Sequence, residues 1–189
     1  QHQKKQSYSA LHMAKNYYCA GRCDWADEAM VKKMCDHSAK IEGILCDKIA
    51  PDLLMYDTSF RIPYQLHRIE APITVLVFWD IHCGHCKKEI PKLLEFYDSM
   101  ASRGVVVYAV YTQGDYEGWK KYINENKLNW LNVMDPYQKT NFRDKYNIIS
   151  TPQLYILDKD KRIRFKLLPA DSVGGVVEYL LKEQEEKDK

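Results

Sequence analysis

The longest apolar run in the chain predicts a buried central strand. Ile73–Trp79 is almost continuously apolar and rich in β-branched residues, which is typical of a strand covered on both faces of a sheet. A second run of this kind, Val105–Tyr111, follows a segment whose apolar residues recur at helical spacing up to about Met100. A strand, a helix and a strand in succession form a parallel pair with a right-handed crossover, so we expect a βαβ unit.

The pattern on either side of this unit predicts further elements of the same sheet. They are a weak β-hairpin over residues 53–69, a second helix over Asp115–Asn126, a short helix within Tyr137–Tyr146, an antiparallel strand pair at Gln153–Leu157 and Arg162–Leu168, and a closing amphipathic helix over Ala170–Lys187. The element order is therefore βαβ, a helical insert, then ββα. We expect an α/β fold with a mixed central sheet flanked by helices.

The first part of the chain predicts two helices that stand apart from this sheet. Helical spacing extends over residues 7–40 and is interrupted at Gly21. Asp24 is expected to cap the second helix, because its side chain can accept a hydrogen bond from a free amide of the first turn. A break follows at Pro51. We expect a helical N-terminal extension over residues 1–48 and one globular domain over residues 49–189.

Composition and charge argue against several classes of function. The chain has 189 residues, of which 46% are hydrophobic, and this content is typical of a packed globular protein. It carries 28 basic and 26 acidic residues, and this near balance gives no electrostatic basis for binding nucleic acid. We also expect no membrane span, because no apolar run is long enough, and no signal peptide is recognisable.

The candidate chemistry centres on two cysteines that are separated by two residues. Cys83 and Cys86 follow the predicted central strand, at the start of the next helix. The free amides and the dipole of a helix N-terminus stabilise a thiolate, so we expect Cys83 to attack a disulfide. Cys86 lies inside the first turn, where it is better shielded from solvent. We therefore expect Cys86 to resolve the mixed disulfide that this attack creates.

The neighbours of the two cysteines support this hypothesis and leave one alternative. Gly84 allows a substrate backbone to come close, and a positively charged His85 would stabilise the Cys83 thiolate. The alternative is a metal chaperone or binding module that holds Zn or Cu(I) with His82, Cys83, His85 and Cys86. A cysteine pair between a buried strand and a helix favours the redox hypothesis.

The pairing of the other four cysteines stays open at this level. Cys19, Cys23, Cys35 and Cys46 allow three pairings, and the sequence does not choose among them. A disulfide between Cys19 and Cys23, at helical i, i+4 spacing, would need a distortion that the Gly21 break could supply. An even number of cysteines is compatible with an oxidising compartment.

Two separated motifs resemble those of the thioredoxin superfamily. The first is Phe78-Trp79 ahead of Cys83-Gly84-His85-Cys86-Lys87-Lys88-Glu89, and the second is Ser150-Thr151-Pro152, which resembles the cis-proline loop of that superfamily. The Ala50-Pro51-Asp52 entry and the residues after the cysteine pair are similar to the TlpA/ResA branch of bacterial cell-envelope thiol oxidoreductases. The resemblance covers about residues 49–182 and implies a thioredoxin-like fold.

The resemblance also implies which residues meet a substrate. Pro152 would follow a cis peptide bond and face the cysteine pair, and Thr151 would offer backbone hydrogen bonds to an extended substrate segment. Gly84, Trp79 and His82 would lie beside that segment. His82 stands where thioredoxins keep a tryptophan, which changes how the substrate docks.

Proton transfer is assigned by the same resemblance. Glu89 would exchange a proton with Cys86, because Val77 stands where thioredoxins keep an aspartate in the strand before the motif. The implied protein is an enzyme that exchanges disulfides with protein thiols and disulfides, with the reductase direction favoured, without a cofactor and as a monomer. An upstream electron donor or acceptor would be its other partner. The implied location is the periplasm or cell envelope of a bacterium.

Overall fold

Seven strands of one sheet and five α-helices with defined bounds lie in the described part of the chain, which in this computed structural model is residue 9 and residues 11–187; residues 11–13 are helical as well. The strands are β1 Leu54–Tyr56, β2 Pro63–Gln65, β3 Ile73–Trp79, β4 Val106–Tyr111, β5 Leu131–Met134, β6 Gln153–Asp158 and β7 Ile163–Lys166. The helices are α1 Glu28–Glu42, α2 Gly84–Met100, α3 Tyr116–Glu125, α4 Phe142–Lys145 and α5 Val173–Lys187. None of these helices combines the length and the apolar character needed to cross a membrane.

The sheet is mixed, and its strand order is β2-β1-β5-β4-β3-β6-β7. Strands β3, β4 and β5 run parallel, whereas β6 is antiparallel to β3 and β7 is antiparallel to β6. Strands β1 and β2 form a hairpin in which Leu54 pairs with Gln65. The predicted hairpin, βαβ unit and closing ββα unit are therefore confirmed.

Strand β5 was missed by the sequence prediction, which had only helix between β4 and β6. The strand is short and contains a buried polar residue, Asn132, which interrupts the apolar pattern. The Asn132 carboxamide accepts a hydrogen bond from the Trp130 indole at 2.9 Å and donates one to the Leu128 carbonyl at 2.8 Å. These hydrogen bonds compensate for the burial of the Asn132 side chain, but the hydropathy pattern alone cannot reveal such a strand.

Strand β3 is buried on both faces, as predicted. Val75, Val77 and Trp79 pack in the core formed with α2, α3 and α5, whereas Leu76 and Phe78 pack in a second core on the opposite face of the sheet. Alternate side chains of a strand point to opposite faces, so both cores hold β3 in place. The loop that leaves its C-terminal end is therefore anchored at a rigid point.

Helix α1 is capped by Asp27 and not, as predicted, by Asp24. The Asp27 carboxylate accepts a hydrogen bond from the Met30 amide at 2.8 Å. Asp24 instead lies in a turn that the Ala26 amide closes, so the helix cannot begin there. The predicted break at Gly21 is confirmed, since its φ of +69° is a conformation that glycine adopts without strain. The start of the predicted 7–40 helical region lies outside the described residues.

The N-terminal extension is joined internally by a disulfide and is fastened to the sheet. Cys19 and Cys35 form a disulfide, whereas Cys23 and Cys46 take part in none. Residues 47–50 pair with the edge of β7: the Asp47 amide donates to the Ile163 carbonyl at 2.7 Å. The expected division at residues 48 and 49 therefore falls inside a segment that bonds to the sheet.

Candidate active site

Cys83 follows the central strand β3 and lies at the N-terminus of helix α2. It is the N-cap residue of α2, and its Sγ accepts a hydrogen bond from the Cys86 amide at 3.4 Å. Its side chain is half-buried, so a substrate sulfur can still reach it. The predicted position of Cys83 at a helix N-terminus is confirmed.

Cys86 lies one helical turn further on and is almost fully buried, with 1% of its surface exposed. Its Sγ accepts a hydrogen bond from the Asp80 amide at 3.4 Å. Burial raises the pKa of the Cys86 thiol to about 12, against weaker opposing hydrogen bonds. Cys86 is therefore protonated at neutral pH, and only Cys83 can supply the first thiolate.

The Cys83 thiol has the opposite electrostatic environment. Burial acts to raise its pKa, but hydrogen bonds from the Thr151 side chain, from Cys86 and from the His85 amide together outweigh this and lower the pKa below its ordinary value. Hydrogen bonds to the charged form favour it, so these donors stabilise a thiolate. His85 contacts the Cys83 thiol through its backbone amide, and its side chain is exposed.

The second predicted motif lies directly against the first. The Thr151–Pro152 peptide bond is cis, as predicted. The Cys83 thiol donates a hydrogen bond to the Thr151 carbonyl at 3.1 Å. Helix α2 and the loop before β6 therefore bring Cys83, Thr151 and Pro152 together although they are far apart in the sequence.

A polar network beside Cys83 was not predicted from the sequence. The His82 amide donates to the Asp80 carboxylate at 2.8 Å, and the His82 ring lies 3.2 Å from the Asp115 carboxylate. Asp115 is also the N-cap of α3, where it accepts from the Gly118 amide at 3.0 Å. The sequence marked Asp115 only as a helix start, because its contact with His82 depends on the tertiary fold.

Aromatic side chains pack in the same core as Cys86. Trp79 is fully buried and packs against Tyr111 and Tyr122 at centroid distances of 6.0 and 5.5 Å. The prediction that Trp79 contacts substrate is thereby corrected, because its side chain lies in the core and not on the accessible surface. Its indole nitrogen, the Tyr111 hydroxyl and the Trp119 indole nitrogen are buried without a hydrogen-bond partner among the described residues.

The geometry matches known thiol–disulfide enzymes. A thioredoxin-like family profile matches residues 72–163. A solved domain of a possible thiol-disulfide isomerase from Cytophaga hutchinsonii superposes with a TM-score of 0.69 and 37% identity, covering 77% of this chain and 97% of that domain. The chain belongs to the thioredoxin-like thiol–disulfide oxidoreductases.

The chain is also similar to curated thiol-disulfide oxidoreductases of bacteria, ResA proteins among them. Sporulation thiol-disulfide oxidoreductase A of Bacillus subtilis is 32% identical over 93 residues, which cover 48% of this chain and 55% of the relative. The chain therefore spans about half the length of that relative. Thiol-disulfide oxidoreductase ResA of Bacillus thuringiensis is 25% identical over 141 residues, which cover 75% of this chain and 80% of ResA.

The alternative metal site receives no support from the geometry of this oxidoreductase. Within residues 11–187, no group of three or more His, Cys, Asp or Glu side chains is placed to hold a metal ion. His82 is instead directed to Asp115. The Cys83 sulfur is hydrogen-bonded to the Thr151 carbonyl, and the Cys86 sulfur is hydrogen-bonded to the Asp80 amide.

The structure gives Glu89 two partners of its own. Its carboxylate accepts a hydrogen bond from the Ala170 amide at 2.7 Å and pairs with Lys92 at 3.2 Å. Neither bond involves Cys86, so these contacts tie α2 to the segment that leads into α5. The proton exchange with Cys86 that the sequence suggests stays a prediction.

We expect Glu89→Ala to lower the free energy of unfolding by about 1–3 kcal/mol, because the Ala170 amide loses its charged acceptor. Glu89→Gln keeps an acceptor and should lose less. Urea unfolding followed by circular dichroism measures both. The control is Glu117→Ala, whose side chain is 89% exposed and should change stability by less than about 0.5 kcal/mol. An equal loss in Glu89→Ala and Glu117→Ala would contradict the anchoring role.

The lowered pKa of Cys83 predicts a shifted pH dependence of its reactivity. Alkylation by iodoacetamide should reach half its maximal rate below the free-cysteine value of about pH 8.5, because the thiolate already forms at lower pH. Thr151→Val should move this midpoint upwards, since it removes a side-chain donor, whereas Thr151→Ser should restore it. A midpoint that is the same in all three proteins would show that Thr151 does not stabilise the thiolate.

Proposed function

We propose that this protein exchanges disulfides with protein substrates through Cys83 and Cys86, as a reductase, in the periplasm or cell envelope of a bacterium. The proposal rests on the different burial and the opposite pKa shifts of two neighbouring thiols. Cys83 is half-buried with a lowered pKa and contacts the cis-proline loop, whereas Cys86 is buried beneath it with a raised pKa.

The reaction follows from these two environments. The Cys83 thiolate attacks one sulfur of a substrate disulfide, and the other substrate sulfur leaves as a thiolate. Cys86 then loses its proton and attacks Cys83 Sγ, which releases the second substrate sulfur and leaves a Cys83–Cys86 disulfide. Two electrons have passed to the substrate, and a separate thiol donor must return them. No organic cofactor takes part.

The substrate should dock beside the cis-proline loop. The Thr151 carbonyl lies 3.1 Å from Cys83 Sγ, so a polypeptide whose cysteine occupies this place would run along the Thr151 and Pro152 backbone. Gly84 and His82 are exposed on the other side of Cys83 and would line the same path. The polar network of His82 with Asp80 and Asp115 holds that side of the path in place.

Two assays on the purified protein test the function and its direction. With dithiothreitol as donor, the protein should accelerate insulin reduction about tenfold or more, whereas its oxidised form should be a poor oxidant of reduced, unfolded ribonuclease. The reductase direction is favoured because the chain resembles a reductase branch. Faster oxidation of ribonuclease than reduction of insulin would reverse the direction, and no acceleration of either reaction would remove the function.

Glu89 enters this mechanism only through the second step. If it accepts the Cys86 proton, Glu89→Gln should slow release of the mixed disulfide and leave the first attack by Cys83 nearly intact. Stopped-flow kinetics separates the two steps. Unchanged release in Glu89→Gln would leave Glu89 with its anchoring contacts alone.

A further inference from the structure

A large apolar groove lies between the N-terminal extension and the loop that carries the cis-proline. We call it the extension groove. It has a volume of about 690 Å³, and its walls include Met34 and Ile41 of α1 on one side and Ile149 and Ser150 of the loop on the other. It lies on the face of the sheet where Tyr155 packs, opposite the layer of α2. None of the reacting groups described above lines it.

The extension groove adjoins, along the chain, the loop where a substrate should dock. Ser150 lines the groove, and the next residue, Thr151, touches Cys83 Sγ through its carbonyl. Extended backbone advances about 3.3 Å per residue. A polypeptide held at Thr151 therefore reaches the groove about two to four residues from its own cysteine.

The mouth of the groove exposes apolar surface that residue 9 and residues 11–187 leave uncovered. Ile149 is 78% exposed and Leu167 is 56% exposed, and both line the groove. Exposed apolar residues gathered at one concave site mark a surface that binds another molecule. Because this site adjoins Thr151, the molecule that fits it is the substrate polypeptide.

The charge of the groove narrows the choice of substrate further. Its described lining includes Lys166 and His37 but no Asp or Glu. Lys166 is half-buried beside its cross-strand neighbour Tyr155, and the group described near it that favours its charged form is the Cys46 thiol and not a carboxylate. Burial lowers the pKa of Lys166, so a carboxylate brought by a ligand would stabilise its charged form.

We propose that the extension groove binds the segment of a protein substrate that flanks its reacting cysteine, and that it selects segments with an apolar and an acidic side chain. This rests on the proposed function and gives the N-terminal extension a role in it, because α1 forms one wall. An apolar substrate residue would enter between α1 and the loop, and an acidic one would meet Lys166.

The test uses Cys86→Ser, in which only the first attack occurs, and two synthetic peptides of equal length. Each peptide carries one cysteine activated as a mixed disulfide with thionitrobenzoate. One has Leu and Asp on both sides of the cysteine, and the other has Ser and Lys. Release of thionitrobenzoate gives the rate of attack by Cys83, which is divided by the rate of the same variant with the small disulfide 5,5′-dithiobis(2-nitrobenzoate).

The Leu/Asp peptide should react about tenfold faster, which is the effect of burying one large apolar side chain. Adding Ile149→Asp should reduce this difference to less than about twofold. Adding Lys166→Met should remove the preference for Asp over Asn in a third, Leu/Asn peptide. The control is Ile49→Asp, the same change at an isoleucine that is 52% exposed, pairs with Arg162 ahead of β7 and does not line the groove, and it should keep the full difference.

Three results would overturn the proposal. Equal rates for the two peptides, with attack on the small disulfide intact, would show that the groove does not select substrates. The proposed function would be unaffected. An equal loss of preference in Ile49→Asp and Ile149→Asp would show a general effect. A dimer in solution that Ile149→Asp converts to a monomer would make a second copy of this chain the occupant. Loss of attack on every disulfide, the small one included, would instead count against the proposed function.

Discussion

Cys83→Ser is expected to lower the rate of insulin reduction about 1000-fold or more, because the residue supplies the attacking sulfur of the redox pair. A serine hydroxyl is almost fully protonated at neutral pH, and the donors around position 83 cannot make it a comparable nucleophile. Cys86 cannot take over, since it is 1% exposed and burial raises the pKa of its thiol to about 12.

The matched control for this variant is Cys23→Ser, which changes a free, half-buried thiol in the N-terminal extension. It should keep the wild-type rate of insulin reduction with dithiothreitol. Residual turnover in Cys83→Ser above a few per cent would contradict the assignment of the nucleophile. A comparable loss in Cys23→Ser would show that the extension takes part in the chemistry itself.

Cys86→Ser should have a different and equally large effect on turnover. The first attack should stay within about threefold of wild type, because Cys83 keeps its position as N-cap of α2 and its contact with Thr151. Release should fall about 100-fold or more, since no neighbouring thiol can displace the substrate from Cys83. A covalent complex between enzyme and substrate should therefore accumulate.

Mass spectrometry of that complex identifies the sulfur to which the substrate is bound. We expect Cys83 in every trapped complex, and Cys83→Ser should trap none. Accumulation through Cys86 in the Cys83→Ser variant, at the rate expected of Cys83, would reverse the roles. The two variants together separate loss of attack from loss of release, which a single activity assay cannot do.

Local sequence signals were enough to predict the cysteine pair and the elements that hold it. The apolar run of Ile73–Trp79 and the helical spacing after Cys86 identify β3 and α2, because each signal depends on neighbours in the chain. The cis bond before Pro152 was anticipated by resemblance alone and is confirmed. These parts need no knowledge of the tertiary fold.

Features that depend on distant partners could not be predicted in this way. Strand β5 is hidden because buried Asn132 finds its hydrogen bonds at Trp130 and Leu128. The contact between His82 and Asp115 joins residues on different elements, and so does the bond from the Ala170 amide to Glu89. Each side chain looks like an ordinary polar residue until the fold supplies its partner.

The disulfide of the N-terminal extension and the extension groove also depend on residues that are distant in the sequence. Four cysteines allow three pairings, and only the packing of the π-helical turn at Ala14–Tyr18 beside α1 selects Cys19 with Cys35. The groove exists because α1 lies against the loop that leads to Thr151. Its apolar residues come from separate segments, none of which is unusual by itself.

A redox titration of the wild-type protein tests the central claim most directly. The protein is equilibrated in dithiothreitol and glutathione buffers that cover about −270 to −120 mV, alkylated, and analysed peptide by peptide. Cys83 and Cys86 should become protected together, as one two-electron couple whose ratio changes tenfold over about 30 mV. If either thiol stays open to alkylation in every buffer, or if the two become protected at separate potentials, Cys83 and Cys86 are not the redox centre.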